Sequence, residues 1–341
     1  DHKIIDIELT EKPTGEIFAG AGVGTSGGTI GFAVKENNFL GRGIQFSSSL
    51  DLNEETIRGK FSVVNPNFKA SDQTLIMGLQ SSETDRMTDF GYKTTKTGFN
   101  LGSRFEYYED FFISPNISSY YESLKTSGAA SSNLKKQKGT YFDADFDYYI
   151  DYDKRNQKYQ TSEGFRSRFN QSIPLISDTN ALINGYEFNY WNELSDGMIG
   201  SLTIYGKTIN SITSDDVRIS ERLYLPTDKL RGFERGKVGP IDSNDYVGGN
   251  YLSSINLAAT LPKVIPAVQN ADFSVFFDAA NVWGVDYSSA IDDSNKIRSS
   301  AGVAIDWYTP VGPLSFSYAG ALTKASTDKT ESFRFNLGTT F

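Results

Sequence analysis

The sequence predicts an all-β protein: a sixteen-stranded antiparallel transmembrane β-barrel with a long sixth outer loop that folds inward. Three observations carry that expectation. Segments long enough to cross a bilayer as strands, about 9–11 residues each, alternate apolar and polar side chains along most of the 341 residues. Helical periodicity is nearly absent, while 19 Tyr, 24 Phe and 31 Gly supply strand formers and turn formers. Joints expected on one rim are short (192–197, 311–313), and the other rim carries long segments (212–249, 284–296).

Composition narrows the function classes. With 33 basic and 42 acidic residues the net charge is −9, which argues against a general nucleic-acid partner. Cysteine is absent and His2 is the single histidine, so disulfides and thiolate metal sites are excluded. Mean hydropathy is −0.39, and no run approaches the ~18 apolar residues of a membrane helix. A strand barrel escapes that test, because its lumen-facing residues lower the average.

Taken in order, residues 1–14 hold one strand-like run, Ile4 to Leu9, ending at Glu11, Lys12 and Pro13. A lone strand is unstable, so it reads as the last strand of a module lying upstream. With no signal-peptide pattern at its start, the chain is expected to be a mature or truncated fragment, its barrel spanning 15–341. In the first barrel strand Ile17, Ala19, Ala21 and Val23 share one face, and Phe18, Gly20, Gly22 and Gly24 the other. So much glycine leaves little side-chain packing to hold a neighbour. Strands follow after a turn at 25–28, then near 43–52, 56–64, 74–82, 92–108 and 111–124, where Pro115 fits badly. The eighth sets Phe142, Ala144, Phe146, Tyr148 and Ile150 against Asp143, Asp145, Asp147 and Asp151. The ninth opposes Phe165 and Phe169 to Arg166 and Arg168. Acids facing arginines suit a wet lumen, with about 0.2–1 kcal/mol per cross-strand pair. A water-soluble sandwich would carry the same pattern on its solvated face, and only strand count and length separate the two. Strands near 181–193, 198–209, 250–261, 272–283, 298–309, 314–323 and 331–341 complete sixteen. The last puts Phe333, Phe335, Leu337 and Phe341 on one face and Ser332, Arg334, Asn336 and Thr340 on the other.

The longest segment without strand periodicity, 212–249, contains LRGFERGKVGP at 230–240. Its glycines and proline suit a tight tongue folding back on itself. Other motifs resolve into ordinary structure. GTSGG at 24–28 matches a nucleophile elbow but lies on a hairpin, with no histidine placed to act as base. The aspartates at 143, 145 and 147 have calcium-loop spacing, yet Tyr148 and Lys154 stand where glycine and glutamate are needed. Lys135, Lys136 and Lys138 form a basic cluster in an outer loop, read as a solvated face, with anionic lipid headgroups the sharper alternative.

These residues together resemble the BamA family of bacterial outer-membrane assembly barrels and its POTRA–barrel superfamily. The resemblance covers essentially the whole chain. It rests on EKPTG at 11–15, NNFLG at 37–41, DKRN at 153–156, LRGF at 230–233, FFDAANVW at 276–283, WYTPVGPLSFS at 307–317 and terminal Phe341. It implies that Leu230, Arg231, Gly232 and Phe233 form a loop motif whose arginine reaches an inward aspartate, Asp278. Strand parity agrees, since Phe273, Val275 and Phe277 face lipid. Ala280, where the family usually has glycine, is a departure. The Arg231–Asp278 pair reads equally as a bridge that pins the loop and as part of a gate. Upstream, residues 1–14 would end the last POTRA module.

The implied function is insertion and folding of client β-barrel proteins in the outer membrane, with the amino terminus in the periplasm. Clients, accessory lipoproteins and the lipid bilayer are the expected partners. No cofactor or metal is expected, and the protein is not expected to be an enzyme. The seam would lie between Ile17, Ala19, Gly20, Gly22 and Val23 of strand one and Phe333, Phe335, Leu337, Gly338 and Phe341 of strand sixteen. Gly338 could kink the last strand inward. Valine at Gly20 and Gly22 is expected to tighten the seam. The alternatives are a TamA-like assembly factor and a polypeptide transport pore of the two-partner-secretion type.

Overall fold

The computed structural model describes residues 12–262, 270–286, 291, 296–309 and 312–338. Sixteen antiparallel strands form one closed ring. They are β1 (Gly15–Gly24), β2 (Gly27–Phe39), β3 (Ile44–Asn53), β4 (Thr56–Asn65), β5 (Thr74–Arg86), β6 (Tyr92–Tyr108), β7 (Phe111–Thr126) and β8 (Gly139–Asp153). Then come β9 (Gly164–Ser177), β10 (Ala181–Ser195), β11 (Met198–Ser211), β12 (Tyr251–Thr260), β13 (Ala271–Trp283), β14 (Arg298–Thr309), β15 (Gly312–Thr323) and β16 (Phe333–Gly338). Each strand pairs with its sequence neighbours, and β16 closes on β1.

The alternation places the two kinds of side chain on opposite walls. Ile30, Phe32 and Val34 of β2, Phe99 and Leu101 of β6, Ile255 and Leu257 of β12, and Val275 and Phe277 of β13 stand exposed on the outside. An apolar belt of this extent is stable only in lipid, where closing the ring pairs strand edges that would otherwise be unmet. The buried apolar residues lie in the lumen. There the 212–250 loop packs Val217, Leu223, Leu225, Leu230, Phe233 and Val238 against Ile209, Leu252, Ala280 and Val282 of the wall. A second cluster joins its Ile219, Tyr246 and Val247 to Phe90, Tyr92, Leu124 and Leu134. The sequence-predicted inward loop is thus a plug.

Two details differ from expectation. Pro115 sits inside β7, opposite Tyr148 of β8. On its other side the β6–β7 pairing is interrupted between Gly102–Asn116 and Phe105–Ile113, so the missing N–H falls at a break in the ladder. The rims are also less uniform than predicted. The turn rim includes the long connections 154–163 and 261–270, and the loop rim includes the tight turns 25–26 and 54–55. The 154–163 connection is a strap: its Tyr159 ring lies 5.4 Å from that of Tyr308 on β14, and Gln160 donates to Asp272 at 3.4 Å. The strand at Ile4 to Leu9 lies outside the described residues. The described end of that region, Thr14, accepts hydrogen bonds from the Asn37 backbone and side chain.

Candidate functional site: the plug and the seam

The tongue folds back because its glycines take backbone shapes closed to other residues. Gly232, Gly236 and Gly239 have φ of 89°, 72° and 104°. At Gly239 a side chain would also run into Val282 of the wall. This geometry lowers Arg231 beside β13. Its Nε donates to Asp278 Oδ2 at 2.8 Å and its Nη2 to Oδ1 at 2.7 Å, a bidentate pair. The Arg231 backbone N–H adds a third bond at 3.0 Å and Asn256 Nδ2 a fourth at 2.9 Å, so the fully buried carboxylate is saturated. The guanidinium carbon stacks 3.4 Å from the Phe276 ring centroid. Leu230 and Phe233 on either side are buried. Ala280 packs within the plug cluster, taking the space of the family's usual glycine without disturbing the pair.

A second arginine, which sequence reasoning missed, is buried more deeply. Arg218 is 1% exposed and meets Glu122 of β7 at 3.1 Å, Asp143 of β8 at 2.5 Å and Glu221 of its own loop at 2.7 Å. Burial works against its charge, but the three carboxylates hold its pKa above the usual arginine value. Burial pushes the Glu221 carboxyl up, and Arg218 pulls it partly back. One turn on, Arg222 joins Asp286 and donates to Asn250 at 3.0 Å. Burial pushes Asp286 up, yet Arg222, Asn250 and the Val217 N–H together hold it below the usual carboxylate range. The signal in the sequence was VRISERLYL: charges at 218 and 222 amid Val217, Ile219, Leu223 and Leu225.

The predicted lumen charges are distributed more widely than β8 against β9. Arg166 pairs bidentately with Asp151 at 2.8 and 2.6 Å, whereas Arg168 reaches it only at 3.9 Å. Asp143 turns to Arg218, and Asp147 accepts from Asn116, Ser118 and Ser172.

The plug is tied to the last strand. Phe233 forms a bridge with Thr330, Glu331 N–H donates to Gly232 O at 3.1 Å, and Glu234 N–H to Lys329 O at 3.0 Å. Arg334 of β16 then donates to Phe233 O at 2.9 Å. Behind them Arg298 of β14 holds Asp328 at 2.9 Å, and Asp328 accepts from Gly239 N–H at 3.3 Å.

At the seam, β1 pairs with β2 from Gly15 to Gly24, but among the described residues with β16 only at Gly22–Gly338, Val23–Leu337 and Gly24–Asn336. Thr25 extends the contact: its N–H donates to Phe335 O at 3.0 Å, and its hydroxyl accepts from Phe335 N–H at 2.9 Å. Ile17, Ala19 and Gly20 have no partner on β16 among the described residues, and Ile17 is 84% exposed. Phe333, Phe335 and Leu337 pair with Tyr318, Phe316 and Leu314 of β15. Gly338 continues the ladder; Phe341 and any kink beyond Gly338 lie outside the described residues.

Here the expectation for valine reverses. A Cβ at Gly22 would stand 3.0 Å from Leu337 O and 3.2 Å from Gly338 Cα, and one at Gly24 2.8 Å from Phe335 O. Gly22→Val is therefore expected to spread the seam and cost about 1–3 kcal/mol, read as a lower urea midpoint of the folded barrel. A raised midpoint would restore the tightening expectation. Gly20→Val, away from the described β1–β16 contacts, is expected to leave the midpoint nearly unchanged.

Comparison with known proteins places this geometry. The profile described as the Omp85 superfamily domain matches residues 38–341. An outer membrane protein assembly factor BamA from Neorickettsia risticii is 22% identical over 99% of this chain and 46% of its own length. The Neisseria meningitidis serogroup B protein of the same name is 25% identical over 99% of this chain and 48% of its own. The chain thus spans about half the length of the curated relatives it matches. The crystal structure of Haemophilus ducreyi BamA lacking POTRA domains 1–3 superposes with a TM-score of 0.88 at 25% identity, covering 97% of this chain and 71% of that one. CdiB from Acinetobacter baumannii shares the fold at a TM-score of 0.59 and 12% identity, over 94% and 59% of the two chains.

Proposed function

Because the chain belongs to the Omp85 superfamily, we propose that it is the barrel of an outer-membrane assembly factor that lends the edge of β1 to incoming strands of client β-barrel proteins. The observation that carries this is the unequal pairing of β1, matched to β2 along its whole length and, among the described residues, to β16 only from Gly22 to Gly24. An unpaired strand edge in lipid costs several kcal/mol per unmet backbone group, so an incoming strand that pairs there is strongly favoured. The aromatic face of β16, Phe333 and Phe335, exemplifies the kind of strand such an edge would accept. The work is strand pairing and burial, with no bond made or broken and no cofactor. Under this reading the turn rim and the amino terminus face the periplasm, where accessory lipoproteins would dock.

The lumen plug favours assembly at the wall over passage of a polypeptide through the middle. The test is a lock on the seam in the complete protein, which its cysteine-free barrel permits. Val23→Cys with Leu337→Cys joins directly paired positions. Under oxidation, client folding and cell growth are expected to stop, and reduction to restore them. Locked barrels that fold clients normally would refute the seam mechanism. If they also conduct through the lumen, the transport-pore alternative takes its place.

A further inference from the structure

The basic residues near the β7–β8 hairpin have a role the assembly reading leaves open. Register puts Lys93 of β6 opposite Lys125 of β7, and one step beyond the last β7–β8 pair, Leu124–Gly139, lie Lys125 and Lys138. All three share the outward face. On the lumen side of the same strands Tyr92, Leu124 and Asp143 are buried, while outward Phe99, Tyr121 and Phe142 are exposed. Descending that wall, the row Lys93–Lys125–Lys138 is followed by Thr95–Ser123–Thr140 and then Thr97–Tyr121–Phe142. At the rise and tilt of barrel strands the lysines stand about 10 Å above the first aromatic row, which is headgroup depth.

Like charges directly opposite one another destabilise a sheet. Lys93 is answered by Glu83 at 2.7 Å and Asp85 at 3.4 Å. Lys125, Lys135, Lys136 and Lys138 are exposed and have no ion pair among the described residues. They do not sit on a loose loop. Ser131 Oγ donates to Asp242 at 2.5 Å and accepts from Leu134 N–H at 3.2 Å, and Leu134 is buried. Gln137 accepts through its backbone from Tyr141 Oη at 2.6 Å and through its side chain from Ile219 N–H at 2.7 Å. Lys125 and Lys138 thus stand at one depth, and the short helix that carries Lys135 and Lys136 beside them is anchored to the plug, on a chain of net charge −9. Of the four, Lys136 also feels Asp216.

We propose that Lys125, Lys135, Lys136 and Lys138 bind the phosphate of an anionic lipid headgroup in the leaflet at the loop rim. Each lysine near an anionic membrane surface adds a factor of about 5 in affinity. The leaflet named rests on the orientation proposed above; the headgroup chemistry does not.

The test uses the complete protein stripped of lipid in detergent, titrated with diphosphoryl lipid A and followed by native mass spectrometry. The parent is expected to retain the lipid, and the quadruple Lys→Gln variant to bind it about 600-fold more weakly. The quadruple Lys→Arg variant should bind like the parent, which separates lost charge from misfolding. Equal binding by the Gln variant and the parent would overturn the site. So would equal binding of phosphatidylcholine, or displacement by inorganic phosphate at equal concentration. In cells, Lys138→Cys should react with a bulky impermeant maleimide from outside; protection there would overturn the leaflet assignment. Client folding in the Gln variant is expected to continue, so failure of this site and failure of the assembly reading are told apart.

Discussion

Arg218→Met is expected to lower the stability of the folded barrel by about 3–5 kcal/mol at neutral pH. The substitution keeps the length and apolar stem of the side chain, so the loss comes from charge. Glu122 and Asp143 are buried in the wall with Arg218 between them. Removing one member of a buried ion cluster leaves carboxylates with neither water nor counter-ion, and that penalty exceeds the value of the bridge itself. The plug has one way to relieve it: to swing out and admit water. Urea unfolding followed by tryptophan fluorescence measures the first effect. Tryptic cleavage after Lys229, Arg231, Arg235 or Lys237, now protected by the folded plug, measures the second. Acidification should narrow the gap between variant and parent, because the Glu221 carboxyl, already pushed up by burial, takes up a proton and no longer carries unmet charge. A variant as stable and as protease-resistant as the parent at neutral pH would show that the cluster does not hold the plug.

Asp278→Ala is the second large effect, again about 3–5 kcal/mol. The carboxylate is the common acceptor for the Arg231 side chain and backbone and for Asn256, so four donors lose their partner at once. Arg231→Ala should cost a similar amount: the carboxylate keeps two of those bonds, but it is fully buried and loses its counter-ion, whereas Arg231 is partly exposed. Arg231→Lys should recover little, since an ammonium cannot reproduce the bidentate fork or the stacking on Phe276. The coupling energy from the double-mutant cycle with Arg231→Ala and Asp278→Ala is expected to exceed about 1 kcal/mol. Additive single effects would mean that each residue acts separately. Comparing stability with client folding across the four proteins decides whether the pair only pins the loop or also governs assembly.

The barrel was legible in the sequence because a two-residue period leaves its mark on every strand, and Phe99, Leu101, Val275 and Phe277 stand outward as the alternation required. Asp278 could be assigned to the lumen by parity alone. Its meeting with Arg231 came from family resemblance, since no local pattern states where a loop residue lands after a turn at Gly232. Arg218 escaped for the same reason. Its partners lie on β7 and β8, far along the chain, and a charge between apolar neighbours in a loop looks like any amphipathic turn. The expected tightening by valine is set against the register: glycines counted within one strand do not reveal that Gly22 faces Gly338 across the seam. Pro115 was legible as a misfit, but only the pairing of Gly102 with Asn116 shows the ladder breaking to receive it.

The backbone strip joining Gly232, Phe233 and Glu234 to Lys329, Thr330 and Glu331 makes the two sides of the barrel's junction unequal in stiffness. The strand that begins at Phe333 is moored at its head to a plug that is itself fixed by Asp278 and Arg218's acids. The strand that ends at Gly24 is held, among the described residues, by its hairpin neighbour and, across the seam, by three register pairs and the Thr25 contacts, with no tie to the plug. If the two part, the glycine-rich hairpin swings and the aromatic strand stays, as a leaf moves against a fixed jamb. Amide exchange should therefore be faster along Ile17 to Ala21 than along Phe333 to Leu337, and loosening the plug should bring the second group toward the first.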